Sequence, residues 1–152
     1  MSDPVTIRGA EPNDVDTVAK FNIAMAWETE RKHLDPATVS QGVRAVLAEA
    51  SHGFYVVAVV ADEVVGSLLV TYEWSDWRCG QFWWIQSVYV KPERRRLGIF
   101  KELYRFVREQ ASQRPDVCGL RLYVEQANHI AQKTYAQLGM EETPYHVYEE
   151  PL

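Results

Sequence analysis

The sequence has 152 residues, 47% of them hydrophobic and 24% charged, with a net charge of −5 and two cysteines. That length suits one compact domain spanning residues 1–152 and leaves no room for two ordinary ones. The acidic balance argues against a nucleic-acid partner, which calls for a basic face.

No apolar run approaches the roughly 20 residues that cross a bilayer, so no membrane partner is expected. The opening Met1-Ser2-Asp3-Pro4 has neither the basic nor the apolar region of a secretion signal. Cys79 and Cys118 form no CxxC pair, and His33, His52, His129 and His146 show no metal-ligand spacing. The expectation is a cytoplasmic protein with no metal.

In chain order, Val5 to Arg8 reads as a short strand. Pro12 suits a first helical turn, and Val15, Val18, Phe21 and Met25 follow at helical spacing. Asp35 is placed to N-cap a second helix opened by Pro36, with Val39, Val43, Val46 and Leu47 as its stripe. Phe54 to Ala61 and Val64 to Tyr72 are β-branched runs joined by a turn at Asp62-Glu63, which predicts a hairpin. Phe82 to Val90 is another strand, closed by Lys91-Pro92. A helix from about Gly98 to Ala111 carries Ile99, Leu103, Phe106 and Val107 on one face. Leu120 to Val124 alternates as a strand. Asn128 to Leu138 reads as a helix stopped by Gly139, and Tyr145 to Tyr148 as a last strand. Hairpins with one crossover predict a mixed α/β fold: a mostly antiparallel central sheet with helices on both faces.

The most informative stretch is Val88-Tyr89-Val90-Lys91-Pro92-Glu93-Arg94-Arg95-Arg96-Leu97-Gly98-Ile99-Phe100-Lys101. A strand ends, a basic loop follows, and a helix begins near a glycine. The first turn of a helix offers unpaired N–H groups and the positive end of the dipole, a natural site for phosphate or pyrophosphate. The same residues also suit a solvated basic loop. No GxxxxGK[ST] occurs, so this is not a nucleoside-triphosphate P-loop. Further on, Asn128 and Tyr135 lie two helical turns apart and share a face. An N-cap asparagine and a core tyrosine would account for them equally.

Together these segments resemble the GNAT-superfamily N-acetyltransferases. Their [QR]-x-x-G-x-[GA] signature follows a V-x-V-x-P strand end, matched here by Val88 to Pro92 and by Arg95-Arg96-Leu97-Gly98-Ile99-Phe100. A second family pattern, N-x-x-A-x-x-x-Y-x-x-x-G-[FM], is matched from Asn128 to Met140. The resemblance covers essentially the whole chain and implies the family's acyl-CoA N-acyltransferase fold, with acetyl-CoA as co-substrate.

It also implies roles. Val88, Tyr89 and Val90 would line the pantetheine arm. Arg96, Leu97, Gly98, Ile99, Phe100 and Lys101 would surround the pyrophosphate, mostly through backbone N–H groups. Asn128 would bond the pantetheine or steady the nearby loop, and Tyr135 would lie beside the thioester sulfur. Phe100 departs from the pattern, standing where the family usually has Gly or Ala. Its ring is expected to point away from the pyrophosphate, toward the sheet or a neighbouring helix.

Acyl transfer to an amine needs a neutral amine, donors for an oxyanion, and a proton for the departing thiolate. Tyr135 is the candidate acid, and a strand-end N–H near Val88 to Val90 the oxyanion donor. The base stays open among Glu28 and Glu30, Glu73 and Asp76, Glu125, and a water chain; Tyr123 stands where some family members carry a glutamate. Trp27, Trp74, Trp77, Trp83 and Trp84 lie near these acids in sequence and would suit a cationic amine. Three functions are compatible with the residues: acetylation of a small-molecule amine in a ternary complex, acetylation of a protein lysine or N-terminus, and non-catalytic acyl-CoA sensing. Edge strands in such folds often pair, so a homodimer belongs to the expectations.

Overall fold

The computed structural model describes residues 3–152. The chain divides into two compact units, one ending at Leu122 and one running from Tyr123 to Leu152. The first unit is built on a sheet of five strands in the order β1 (Val5–Gly9), β2 (Phe54–Val60), β3 (Glu63–Ser75), β4 (Gly80–Val90) and β5 (Val117–Arg121). The first three interfaces are antiparallel and the β4–β5 interface is parallel. Helices α1 (Val15–Glu30), α2 (Pro36–Ala48) and α3 (Ile99–Ser112) belong to this unit. The second unit holds α4 (His129–Gln137).

Alternation along β2 explains the layering. Tyr55 and Val57 pack with Val15, Val18 and Ala19 of α1 and Val43 of α2. Val56, Ala58 and Val60, on the opposite face, are just as buried. That face is covered by α3, which packs against all five strands. Its buried Ile99, Leu103, Val107 and Ala111 recur every four residues, each larger side chain contributing roughly 1.5–3 kcal/mol by burial. The predicted mixed sheet with helices on both faces is the one observed.

Local signals set the joints. The Asp35 carboxylate caps α2, accepting from the Thr38 N–H at 3.0 Å. Between β1 and α1 a short 3-10 turn, Pro12–Asp14, occupies the place predicted for the first helical turn. There the Asp14 carboxylate, 6% exposed, accepts from both terminal nitrogens of Arg8, at 2.7 and 3.2 Å, and from the Glu11 N–H at 2.7 Å. The Arg8 hydrogen bond holds Asp14 below the usual carboxylate range, although burial pulls the other way.

Three expectations shift. The β2–β3 turn is Ala61-Asp62, both left-handed (φ 49° and 63°), so Val60 pairs with Glu63 and the turn sits one residue earlier than Asp62-Glu63. Two successive left-handed residues are what the right-handed twist of a two-residue hairpin requires. The ladder of β5 is Val117–Arg121, not Leu120 to Val124. Tyr145 to Tyr148 joins no ladder, and residues 141–152 are all exposed. A β-branched, aromatic segment fits a pleated surface but becomes a strand only where it finds an edge to pair with.

Candidate functional site

β4 carries an irregularity at its centre. Between the pairs Leu69–Gln86 and Ser67–Tyr89, β3 advances two residues and β4 three. The extra residue is accommodated with Ser87 at φ 49°, as in a β-bulge. On its other side, β4 pairs with β5 only from Gln81 to Trp84. From Ile85 to Val90, that side of β4 meets no strand of the described sheet.

The groups that face the open side follow from one hydrogen bond. The Lys91 N–H donates to the Val65 carbonyl at 2.8 Å, so the Lys91 backbone faces β3. Backbone direction alternates along an antiparallel strand. Tyr89, paired with Ser67, therefore also faces β3, while the N–H and C=O groups of Val88 and Val90 face away. Such an edge can pair with an extended ligand carrying amides, as it would with another strand.

The edge runs directly into the basic turn. After a 3-10 turn at Pro92–Arg94, the backbone becomes left-handed at Arg96 (φ 65°) and at Gly98 (φ 80°). The ladder of α3 opens with the Glu102 N–H donating to the Gly98 carbonyl at 3.1 Å. The N–H groups of Ile99, Phe100 and Lys101 take no part in that ladder and mark the positive end of the helix. A Cβ placed on Gly98 would meet no atom within 4 Å; backbone conformation, not crowding, calls for the glycine. Backbone of this form suits an anion. The Phe100 ring lies 6.3 Å from that of Tyr104, one turn along its own helix.

Arg95 stitches this region together. Its Nε donates to the Val90 carbonyl at 2.8 Å, its Nη2 donates to the Glu28 carboxylate at 2.7 Å, and its guanidinium lies 5.4 Å from the Tyr89 ring centroid. Burial, helped by the Glu28 charge, raises the Tyr89 hydroxyl above its ordinary pKa. Sequence reasoning missed this clasp. Arg95 was visible as the first signature residue, but nothing local tied it to a glutamate 67 residues away.

Glu73 sits elsewhere. It pairs with Phe82 in the sheet, six residues before Val88 and so roughly 20 Å along β4. Its carboxylate accepts from Arg121 at 2.7 Å and from the Trp84 indole at 3.0 Å, while Arg121 stacks on Phe82 at 3.6 Å. Glu28 and Glu73 thus lie near opposite ends of β4. The tryptophans divide in the same way. Trp27 stacks on His33, centroids 4.4 Å apart, at the end of α1. Trp83 is buried edge-on against Phe54, and Trp74 and Trp77 are exposed near the β3–β4 tip. They do not form a single wall.

In the second unit, Asn128 caps α4 by accepting from the Ala131 N–H at 3.1 Å. The side-chain amide of Gln132 donates to the carbonyls of Glu125 and Gln126, holding the loop before the helix. Gly139 (φ 97°) ends the helix, with the Met140 N–H donating to the Tyr135 carbonyl and the Gly139 N–H to that of Ala136. This is the αL stop expected of a glycine there. Burial raises the Tyr135 hydroxyl above its ordinary pKa. Among the described residues there is no group of three or more His, Cys, Asp or Glu able to hold a metal. No helix among them is long and apolar enough to cross a membrane.

The family model of the acetyltransferase (GNAT) family matches residues 20–140. Among solved structures, a possible acetyltransferase from Clostridium difficile 630 is 46% identical with a TM-score of 0.91, each chain covered to 97%. A predicted acetyltransferase with acetyl-CoA from Clostridium acetobutylicum is 13% identical, TM-score 0.78, over 97% of this chain and 96% of that one. An aminoglycoside acetyltransferase from an uncultured soil metagenomic sample is 18% identical, TM-score 0.74, over 98% and 99%. These last two likenesses are of fold. No curated protein matches significantly. The bulged, half-open β4, the left-handed turn at the head of α3 and the match over residues 20–140 lead to one conclusion: the chain belongs to the GNAT acetyltransferase family.

Proposed function

We propose that this protein transfers an acetyl group from acetyl-CoA to the primary amine of a small molecule, by direct attack within a ternary complex. The observation that carries the reading is that the part of β4 at Val88 and Val90 which no second strand covers runs into the left-handed turn and unladdered N–H groups at the head of α3. An extended chain of amides ending in a pyrophosphate fits that succession. Acetyl-CoA supplies the acyl group, already activated as a thioester.

The chain's own residues divide the remaining work. Val88 and Val90 hold and orient the arm through backbone groups, and one of those N–H groups can stabilise charge on the acyl oxygen. Ile99, Phe100 and Lys101 offer N–H groups to phosphate, with Arg96 and Leu97 in the turn beside them. Glu28 is engaged by Arg95 and Glu73 by Arg121, so neither carboxylate stands in reserve as a base, and we assign proton removal from the amine to water. Tyr135 is assigned the hydrogen bond that stabilises charge on the departing sulfur, which then takes its proton from solvent. Two free, exposed thiols, Cys79 and Cys118, suit a reducing compartment such as the cytoplasm.

The test is a panel of amino acids, polyamines, aminoglycosides and lysine peptides with acetyl-CoA, reading released thiol. Turnover of a small amine is the expected result. Turnover of peptides alone would move the substrate class to protein, and tight acetyl-CoA binding without turnover would establish a sensor.

The departure at Phe100 gives a second test. Phe100→Gly removes a half-buried ring that packs on Tyr104 and loosens the first turn of α3. Stability should fall by about 2 kcal/mol. Acetyl-CoA affinity should stay within about tenfold, because the backbone N–H at position 100 survives. A large gain in affinity on calorimetric titration would show instead that the ring obstructs the site.

A further inference from the structure

Past Leu69 the sheet face under α1 and α2 changes character. Leu69 still packs against the cluster of Tyr55 and Val57, but the residues that follow on that face are polar or aromatic. Partners in a ladder share a face. The pairs Leu69–Gln86, Thr71–Trp84 and Glu73–Phe82, with Arg121 opposite Trp84, therefore make one platform within the first unit. Phe82 is buried, Thr71, Trp84, Gln86 and Arg121 are half-buried, and Glu73 is exposed. At the far end of the platform an ion pair is held in place. Glu73 Oε1 accepts from Arg121 at 2.7 Å and from the Trp84 indole at 3.0 Å, and Arg121 stacks on Phe82. Glu73 Oε2 and the Arg121 Nε and Nη2 make no hydrogen bond among the described residues, and the two side chains stay 45% and 25% exposed. A fixed anion beside a fixed cation, each with hydrogen-bonding atoms to spare, complements the ammonium and carboxylate of an α-amino acid.

We propose that the acceptor is a free α,ω-diamino acid, whose α-ammonium meets Glu73 and whose α-carboxylate meets Arg121 while its ω-amine is acetylated; the inference rests on the acetyl-transfer reading above. With the arm of acetyl-CoA along Val90 and Val88 and its pyrophosphate at α3, the two carbons and the sulfur beyond its last amide carry the acyl group on toward Ser87 and Gln86. The ion pair lies between the Trp84 and Phe82 rows, two to four residues beyond Gln86 and so roughly 7–13 Å along the strand. A diamino acid with three or four methylenes between amine and α-carbon spans roughly 8 Å from ω-nitrogen to carboxylate, and a hydrogen bond adds about 3 Å. The lengths agree. In the transfer the ω-nitrogen bonds to the acyl carbon, the carbon–sulfur bond breaks with its electrons on sulfur, and the proton leaving nitrogen passes to water.

The test compares lysine and ornithine with cadaverine and putrescine, which lack the carboxylate, and with ε-aminocaproate, which lacks the α-ammonium. Released thiol gives kcat/KM, and tandem mass spectrometry gives the position of the acetyl group. Each diamino acid should exceed its diamine by about 10–100-fold, the scale of a charge-assisted pair. The acetyl group should sit on the ω-nitrogen, although the α-amine is the less basic and more easily deprotonated of the two. Arg121→Gln should bring the lysine-to-cadaverine ratio close to one, and Glu73→Gln the ratio of lysine to ε-aminocaproate; a merely structural change would lower all acceptors alike. Arg121→Lys, which keeps the charge without the fork, should fall between wild type and Arg121→Gln. Diamines used as well as diamino acids, an α-acetylated product, or ratios indifferent to the substitutions would overturn the proposal and leave acetyl transfer standing. Where no acceptor releases thiol, calorimetry with lysine decides. Binding that Arg121→Gln abolishes keeps the subsite and sinks only the transfer, and no binding removes both.

Discussion

Tyr135→Phe should lower kcat about a hundredfold and leave acetyl-CoA affinity unchanged. The substitution removes one hydroxyl and keeps the ring, so packing within α4 is preserved. The direction of the pKa shift defines what the hydroxyl can do. Burial raises it, so the group keeps its proton through the neutral and weakly alkaline range. A thiolate, with a pKa near 8.5, is a weaker base than such a phenolate, so full transfer to sulfur is uphill. Tyr135 is therefore expected to donate a hydrogen bond that strengthens as sulfur gains charge, an interaction made only in the transition state. A hundredfold is about 2.7 kcal/mol of barrier. Steady-state kinetics on an identified amine should show the loss in kcat and not in KM. In the wild type, any decline due to this acid appears only above the raised tyrosine pKa, and Tyr135→Phe should abolish that limb. An undiminished kcat across the whole pH range would remove Tyr135 from the chemistry.

Asp14→Ala should be strongly destabilising, costing about 3–5 kcal/mol. The carboxylate is buried and satisfied by two Arg8 nitrogens and the Glu11 N–H. Truncation leaves the Arg8 guanidinium, itself only partly exposed, without its counter-ion. Asp14→Asn keeps the shape and some hydrogen bonding, and should cost roughly half as much. The pH dependence follows from the sign of the shift. Asp14 is depressed in the folded state, so its contribution is complete above the unfolded carboxylate pKa near 4 and is lost as pH falls through the lower folded value. Denaturation midpoints of wild type and Asp14→Ala should therefore converge in acid. A cost below about 1 kcal/mol at neutral pH would mean that solvent screens the pair as it does at a surface.

Some of this architecture was written in the residues. Asp35-Pro36 and Gly139 set helix ends through local chemistry, and both act where the sequence places them. The features that were not legible depend on a partner distant in the chain. Ala61 is no turn residue by composition, and adopts φ 49° because the strands on either side impose the hairpin's twist. The extra residue at Ser87 leaves no trace in hydrophobic alternation. Gly119 looks like a break in a strand, yet a side chain there would meet the Phe82 ring at 2.8 Å, so the ladder of β5 begins earlier than its apolar run suggests. The site shows the same division. Val88 to Lys101 was readable as strand end, basic turn and helix start, because backbone geometry there follows from local sequence. Glu28 and Glu73 looked alike in sequence. Only folding shows that each answers to its own arginine, at opposite ends of one strand.

The two-residue turn at Ala61-Asp62 also bears on the order in which the molecule assembles. β2, β3 and β4 form a meander whose connections are short, so their pairing closes small loops at little entropic cost. β1 must instead find β2 across two helices, and β5 must find β4 across α3 through four register pairs. Contacts of that span form late. The meander is accordingly expected to form first: core truncations at Val56, Leu68 or Val70, all fully buried within it, should act on the refolding rate, whereas changes on β5 should register in unfolding, as stopped-flow refolding and unfolding would show. On that order the open half of β4 would form within the meander, before β5 reaches it.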